Sequence, residues 1–159
     1  MNIQFELVKS GDEDSIGKIA GWYYNEWKIA PVKTIKRLSG LPAHGVPFQV
    51  LMSVEKIPVA TGGLYDHVGL LDVAPKFRIY GPWMALVFTT PENRNKGYGT
   101  LLCEEIQNRS KELGVKEIFL FAGASSSLYR RMGWVSIEER NLKGREAVVM
   151  KKDLRDPNP

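Results

Sequence analysis

A chain of 159 residues and 17.9 kDa has the length of one domain, enough to bury roughly 70% of its unfolded surface without disulfides or metals. Its composition is 43% hydrophobic and 25% charged, with 15 Gly and 9 Pro scattered as punctuation, which excludes disorder, collagen and coiled coil. The net charge of +4 favours an anionic partner but is too small to choose among nucleic acid, an acidic membrane face and a phosphorylated small molecule.

Gln4 to Val8 alternates in polarity and reads as a first strand. Beyond the capping candidates Ser10 and Asp12, the residues Ile16, Ile19, Ala20, Tyr23 and Trp27 recur at helical spacing, giving an amphipathic helix that Pro31 stops. A shorter helix, Val32 to Ser39, ends at Gly40. Phe48 to Val54 and Val59 to Tyr65 are β-rich runs joined across residues 55–58, the spacing of an antiparallel hairpin. After an irregular stretch, Trp83 to Thr89 (WMALVFT) is nearly all apolar, as in a strand covered on both faces, and Pro91 ends it. Gly97 to Leu113 reads as a helix with Leu102, Ile106, Arg109 and Leu113 on one stripe and Gly114 just past its end. Val115 to Phe121 is the next strand, so strand, helix and strand form a βαβ crossover whose two strands run parallel. A short helix over Ser127 to Met132 stops at Gly133, and Trp134 to Glu138 with Ala147 to Lys152 closes the chain as a hairpin across Asn141 to Gly144.

These elements predict an α/β fold: a central, mostly antiparallel sheet with one parallel junction, flanked by helices. Residues 1–152 form one expected domain and 153–159 a loose tail ending in DPNP. The lone Cys103 excludes an internal disulfide, no apolar run reaches the ~20 residues of a membrane span, and the start MNIQFELVKSGDED is unlike a signal peptide. The expected compartment is therefore the cytoplasm, with no membrane partner. One Cys and two His assemble no zinc site at standard spacing, so no metal is expected.

The parallel junction is where an open α/β sheet binds ligands. There, Pro91 to Thr100 links a buried strand to a helix start, where unpaired N–H groups and the helix dipole favour an anion. Gly97 and Gly99 permit close backbone approach, Arg94 and Lys96 add cationic donors, and Thr100 adds a hydroxyl. A P-loop would need Gly-Lys-Ser/Thr at its end, and a Rossmann loop a third glycine where Leu102 stands, so both readings fail. The bland alternative is a glycine-softened turn with solvated cations.

The run VFTTPENRNKGYG, Val87 to Gly99, resembles the acetyl-coenzyme A motif of the GCN5-related N-acetyltransferase (GNAT) superfamily, Arg/Gln-x-x-Gly-x-Gly/Ala after the fourth strand. Downstream, Leu128-Tyr129-Arg130-Arg131-Met132-Gly133-Trp134 resembles that family's LYxxxGF segment, and the element order follows the family plan. The resemblance implies the acyl-CoA N-acyltransferase fold and an acetyl-CoA-dependent N-acetyltransferase acting on a primary amine of a small molecule or peptide by direct attack. It places acetyl-CoA, the cosubstrate, along Leu86, Val87, Phe88 and Thr89 and around Arg94, Asn95, Lys96, Gly97, Tyr98, Gly99 and Thr100. Many members carry an Asn shortly before the tyrosine, at the start of the helix; this chain has Ala122, Gly123, Ala124 and Ser125 to Ser127 there, and the expected substitute contact to the cofactor is a serine hydroxyl, Ser126.

The chemistry makes separate demands. An alkyl amine with a pKa of ~10.4 must lose a proton before it attacks, and the oxyanion needs a donor, which the resemblance assigns to a backbone N–H of Val87 or a neighbour. Tyr129, with an ordinary pKa of ~10, holds a proton for the leaving thiolate in the role of the family's matching tyrosine; its bland reading is packing. Trp83 to Thr90 holds no carboxylate or histidine, so a base comes from Asp66, His67, Asp72 or Glu26, each of which also reads as an ordinary surface charge. Asp72 is preferred because its loop returns to the active strand. Tyr23 and Trp27 fall on the core stripe while Trp22 and Tyr24 point elsewhere. The family's amine site borders the loop after the first helix, so Tyr24, Trp27 and residues 30–34 are expected substrate contacts. Trp83 either caps the acceptor pocket or fills the core. A rival reading keeps the fold and the cradle but not turnover, as a CoA-binding sensor or interaction module. A nucleic-acid binder is disfavoured because 22 basic residues are interspersed with 18 acidic ones. A homodimer is compatible with the sequence.

Overall fold

Local chemistry sets most element ends. The computed structural model describes residues 1–142 and 145–155. Strand β1 (Ile3–Leu7) precedes helix α1 (Glu13–Trp27), whose N-cap Asp12 accepts the Ser15 N–H and whose first turn carries Glu13 and Asp14 against the helix dipole. The helix ends earlier than expected: Lys28 turns left-handed (φ 57) and its N–H closes back on the last turn, while Pro31 instead opens α2 (Pro31–Ser39), its missing N–H being harmless at a first helical position. Strands β2 (Phe48–Val54) and β3 (Ile57–Tyr65) meet in a turn of only Glu55 and Lys56, both at positive φ, so the loop is two residues shorter than expected.

The stretch read as irregular contains α3 (Leu70–Val73) and a 3-10 turn, Pro75–Ile79. Strand β4 (Trp83–Thr89) has the expected bounds but not the expected cover: Ala85, Leu86 and Val87 are only half-buried. Helix α4 (Tyr98–Glu112) buries Leu102, Cys103, Ile106 and Ser110; Leu113 is half exposed beyond its end, so the stripe runs one residue C-terminal of the expected one. Strand β5 (Glu117–Ala122), helix α5 (Ser126–Arg131) and strands β6 (Val135–Leu142) and β7 (Arg145–Asp153) complete the chain. The expected closing turn lies partly, and the tail beyond residue 155 wholly, outside the described residues. Residues 153–155 are not loose: Asp153 belongs to β7, Leu154 is buried with its N–H on the Lys116 carbonyl, and Arg155 pairs with Asp153. Arg155 supplies a side-chain and a backbone hydrogen bond that hold the Asp153 carboxyl down at about 2.

The strands form one seven-stranded sheet in the order β1-β2-β3-β4-β5-β7-β6, mixed as expected, with β4 and β5 parallel and the other registered pairs antiparallel. Contacts divide the chain into two compact units. The first, residues 1–64 with 86–106, buries Ile16, Ile19 and Tyr23 of α1, Leu38 of α2, Val50 and Met52 of β2, and Leu102 and Ile106 of α4. The second, residues 65–85 with 107–159, has its core at Leu71, Ala74, Phe77, Trp83, Phe119 and Val149. Its parallel ladder is the pair Trp83↔Phe119, with the Phe119 N–H on the Pro82 carbonyl.

Candidate active site

The segment between β4 and α4 decides whether an anion has anything to bind. Thr90 and Asn93 close a tight turn, through the Asn93 N–H on the Thr90 carbonyl and the Asn93 amide on the Thr90 hydroxyl, and the Arg94 N–H returns to Pro91. From there Asn95 and Gly97 take positive φ (64 and 83), and the first helical bond of α4 is Leu101 N–H to Gly97 carbonyl. Among the described residues, the backbone N–H groups of residues 95–100 have no protein acceptor. Asn95, Lys96 and Gly97 are exposed, and a Cβ added at Gly97 would meet nothing within 4 Å. Six successive free donors at a helix N-terminus form an anion-binding concavity. Lys96 makes no ion pair among the described residues and faces solvent.

Arg94 behaves differently from its neighbour. Its Nε donates to the Thr89 carbonyl at 2.9 Å, its terminal nitrogen lies 3.0 Å from the Glu26 carboxylate, and its guanidinium covers the Phe88 ring at 5.6 Å. It therefore ties the loop to β4 and to the end of α1. Tyr98 contributes packing from its side chain, which is buried with its hydroxyl toward the Met1 sulfur, and Gly99 lies where an added Cβ would approach the Thr89 hydroxyl at 3.7 Å.

Within β4, Leu86 has a positive φ of 60, the left-handed region that a Leu side chain rarely enters. Its carbonyl accepts the Tyr23 hydroxyl at 2.6 Å. Phe88 anchors an aromatic group of Trp22, Tyr23 and Trp27, at ring separations of 5.6, 6.4 and 6.0 Å. Trp27 is not a core residue as its spacing suggested: it is 42% exposed, because α1 ends at that residue and nothing further covers it. Tyr24 is also exposed, with the Lys28 ammonium over its ring. Residues 30–34 run from the α2 N-cap into its first turn, where Val32 is exposed and Thr34 buried.

In the second unit, Tyr129 is half-buried and packs edge-to-face on Trp134 at 6.1 Å. The Ser126 hydroxyl accepts from Arg130 at 3.4 Å. Asp72 is exposed and meets His67 at 3.3 Å, and Asp66 is exposed. The expectation that Trp83 contacts substrate is overturned: the indole is 1% exposed and packed on Phe119, which leaves no surface for a ligand. Cys103 is buried, and burial, with Glu104 nearby, pushes its thiol up to about 12, so it stays protonated and unreactive at neutral pH. Among the described residues no group of three or more His, Cys, Asp or Glu gathers as a metal site, and no helix is long and apolar enough to cross a membrane.

The acetyltransferase (GNAT) domain model matches residues 57–136, which is 80 of 159 residues. The chain belongs to the GNAT acetyltransferase family. This GNAT protein is an acetyl-CoA-dependent N-acetyltransferase by family. Solved structures agree in fold. An aminoglycoside 6'-N-acetyltransferase complexed with coenzyme A superposes with a TM-score of 0.76 at 12% identity, covering 100% of this chain and 99% of that one. The ribosomal-protein-S18-alanine N-acetyltransferase of Escherichia coli gives 0.70 at 13%, covering 99% of each chain. An acyl-CoA N-acyltransferase of Pseudomonas aeruginosa gives 0.68 at 14%, covering 95% and 99%. At these identities the likeness is one of fold. No curated protein sequence matches the chain.

Three features around β4 and the loop after it escaped the sequence: the positive φ of Leu86, the Tyr23 bond to its carbonyl, and the Glu26–Arg94 pair. One signal was present. Gln49 stands inside the apolar run FQVLM, and a polar residue that is fully buried in a strand must have partners.

Proposed function

We propose that this GNAT enzyme transfers the acetyl group of acetyl-CoA to a primary amine of a small molecule or peptide by direct attack. The observation that carries the reading is the run of free N–H donors at residues 95–100, beside an exposed Lys96. A coenzyme A diphosphate needs closely spaced donors and a cation, and the donor set fits it. Arg94 shapes the cradle through Thr89 and Glu26, while Asn95, Lys96, Gly97, Tyr98, Gly99 and Thr100 supply its donors. Acetyl-CoA supplies the activated thioester. Leu86 to Thr89 present backbone to it; the Val87 N–H faces the developing oxyanion.

Tyr129 holds the proton for the departing thiolate, with Ser126 at the same helix start. Asp72, with His67 beside it, accepts the amine proton through solvent. Tyr24 and Trp27 border the acceptor, since both keep exposed aromatic surface after α1 ends. The reading is tested by thiol release from acetyl-CoA across polyamines, aminoglycosides, amino acids and N-terminal peptides; the buried Cys103 contributes no background to a thiol reagent. Release with at least one amine is expected, and Tyr129→Phe lowers kcat by about 10²-fold with CoA affinity retained. CoA binding without release under any amine would favour the sensor reading, and full activity of Tyr129→Phe would remove that residue from the mechanism.

A further inference from the structure

The left-handed residue in β4 is held by a buried polar chain with only one consistent direction. Gln49, Thr61 and Tyr23 are each 0–1% exposed. The Gln49 amide nitrogen donates to the Thr61 hydroxyl and to the Tyr23 hydroxyl, both at 2.8 Å. A carboxamide nitrogen has two hydrogens, so both are engaged. The Thr61 hydroxyl, accepting from Gln49, directs its own proton to the Val50 carbonyl at 2.8 Å. The Tyr23 hydroxyl, likewise accepting from Gln49, directs its proton to the Leu86 carbonyl at 2.6 Å. No member of the chain can reverse without leaving a buried donor facing a donor or a buried acceptor facing an acceptor, which costs about 1–3 kcal/mol.

The Leu86 carbonyl and the Val87 N–H belong to the same peptide group. In a trans peptide they point in opposite directions, so fixing the carbonyl on Tyr23 fixes the N–H away from α1. The neighbouring strand agrees. The Thr90 N–H donates to Val59 of β3, and the alternation of successive N–H groups along the extended segment from Val87 to Thr90 turns the Val87 N–H away from β3. That N–H is therefore aimed by two constraints. It is also strengthened, because a hydrogen bond accepted by a peptide carbonyl polarises the N–H of the same peptide.

We infer that Tyr23, set by Gln49 and Thr61, is a positioning residue for catalysis: it clamps the Leu86–Val87 peptide so that the Val87 N–H is a pre-aimed, polarised oxyanion donor. This rests on the proposed reaction at β4. Tyr23 acts through the Leu86–Val87 peptide. It lends the strand a conformation that a leucine does not hold unaided, and it does so from a helix whose other end, at Asp12, is about 16 Å away along the axis.

Tyr23→Phe removes the hydroxyl and keeps the ring against Trp27 and Phe88. It is expected to lower kcat at least about tenfold, with KM for acetyl-CoA and CoA affinity within about twofold, because the loop at residues 95–100 is untouched. The amide nitrogen resonance of Val87 moves upfield as its peptide loses polarisation. Thr61→Val, which cuts the chain two bonds away, gives the same signs with smaller amplitude. A merely structural Tyr23 would lower Tm and the folded fraction but leave kcat per folded molecule and the Val87 resonance unchanged, and that result overturns the inference. Wild-type protein that binds CoA but releases no thiol with any amine would overturn the proposed reaction and, with it, the catalytic role of the clamp. An unmoved Val87 resonance in Tyr23→Phe refutes the clamp by itself.

Discussion

Arg94 and Lys96, two residues apart, carry the same charge and hold different posts. Arg94 is committed to the chain's own oxygens at Thr89 and Glu26, whereas Lys96 leaves its ammonium in solvent beside the free amides. An ion pair with both side chains about one-third to two-fifths exposed contributes about 0–1 kcal/mol, so Arg94 matters for loop shape more than for stability. Lys96→Ala should therefore weaken CoA binding and flatten its salt dependence, because a solvent-facing cation near a diphosphate is screened by added salt. Arg94→Ala should weaken binding with a smaller change in that slope. Calorimetric titration of CoA over a salt series checks both; equal slopes for the two variants would put Arg94 in direct contact with the diphosphate. At this scale the sequence was most legible where backbone chemistry is local. The capping Asp12 read correctly, and Gly97 and Lys96 stand exposed in the run of unpaired amides before α4. Trp83, Trp27 and Tyr23 needed the fold, because an aromatic side chain has the same pattern whether it fills a core, edges a groove or anchors a hydroxyl.

Strand β4 is the element on which the site depends, and its sequence is its least informative part. WMALVFT reads as a doubly covered strand, and its bounds are right, yet its middle is half-buried and Leu86 is left-handed. Nothing in a leucine announces that conformation; its carbonyl is bonded by Tyr23, 63 positions earlier. On its β3 side the strand is closely packed: a Cβ added at Gly62 would lie 3.0 Å from the Val87 side chain and 3.3 Å from the Val87 Cα. Gly62→Ala should therefore displace β4 at the proposed oxyanion donor. A loss of about 1–3 kcal/mol in denaturant unfolding is expected, with a fall in kcat larger than the unfolded fraction explains. Unchanged stability and rate would show that the two strands yield without effect. The β2–β3 turn shows the same limit in milder form. Glu55 and Lys56 make a two-residue hairpin in conformations usual for Asn-Gly, so the sequence located the hairpin but lengthened its loop.

For the molecule as a whole, ligand linkage gives the most direct measurement. A ligand that binds only the folded chain stabilises it by about 2.7 kcal/mol at a hundredfold excess over its Kd, which for this length raises Tm by roughly 5–11 °C. Acetyl-CoA at that excess should produce such a rise in a thermal scan, and none at saturating ligand would defeat the enzyme and sensor readings together. The sequence by itself determined the order of strands and helices, the single parallel junction, the glycine loop at its mouth and the family those features resemble. It could do so because periodicity, capping and glycine freedom act over a few residues. Only the tertiary structure decided which cation remains free, which aromatics are buried, and how the Leu86–Val87 peptide is aimed. Those depend on partners such as Glu26, Gln49 and Tyr23, which are distant in the chain, and no short-range pattern encodes their meeting.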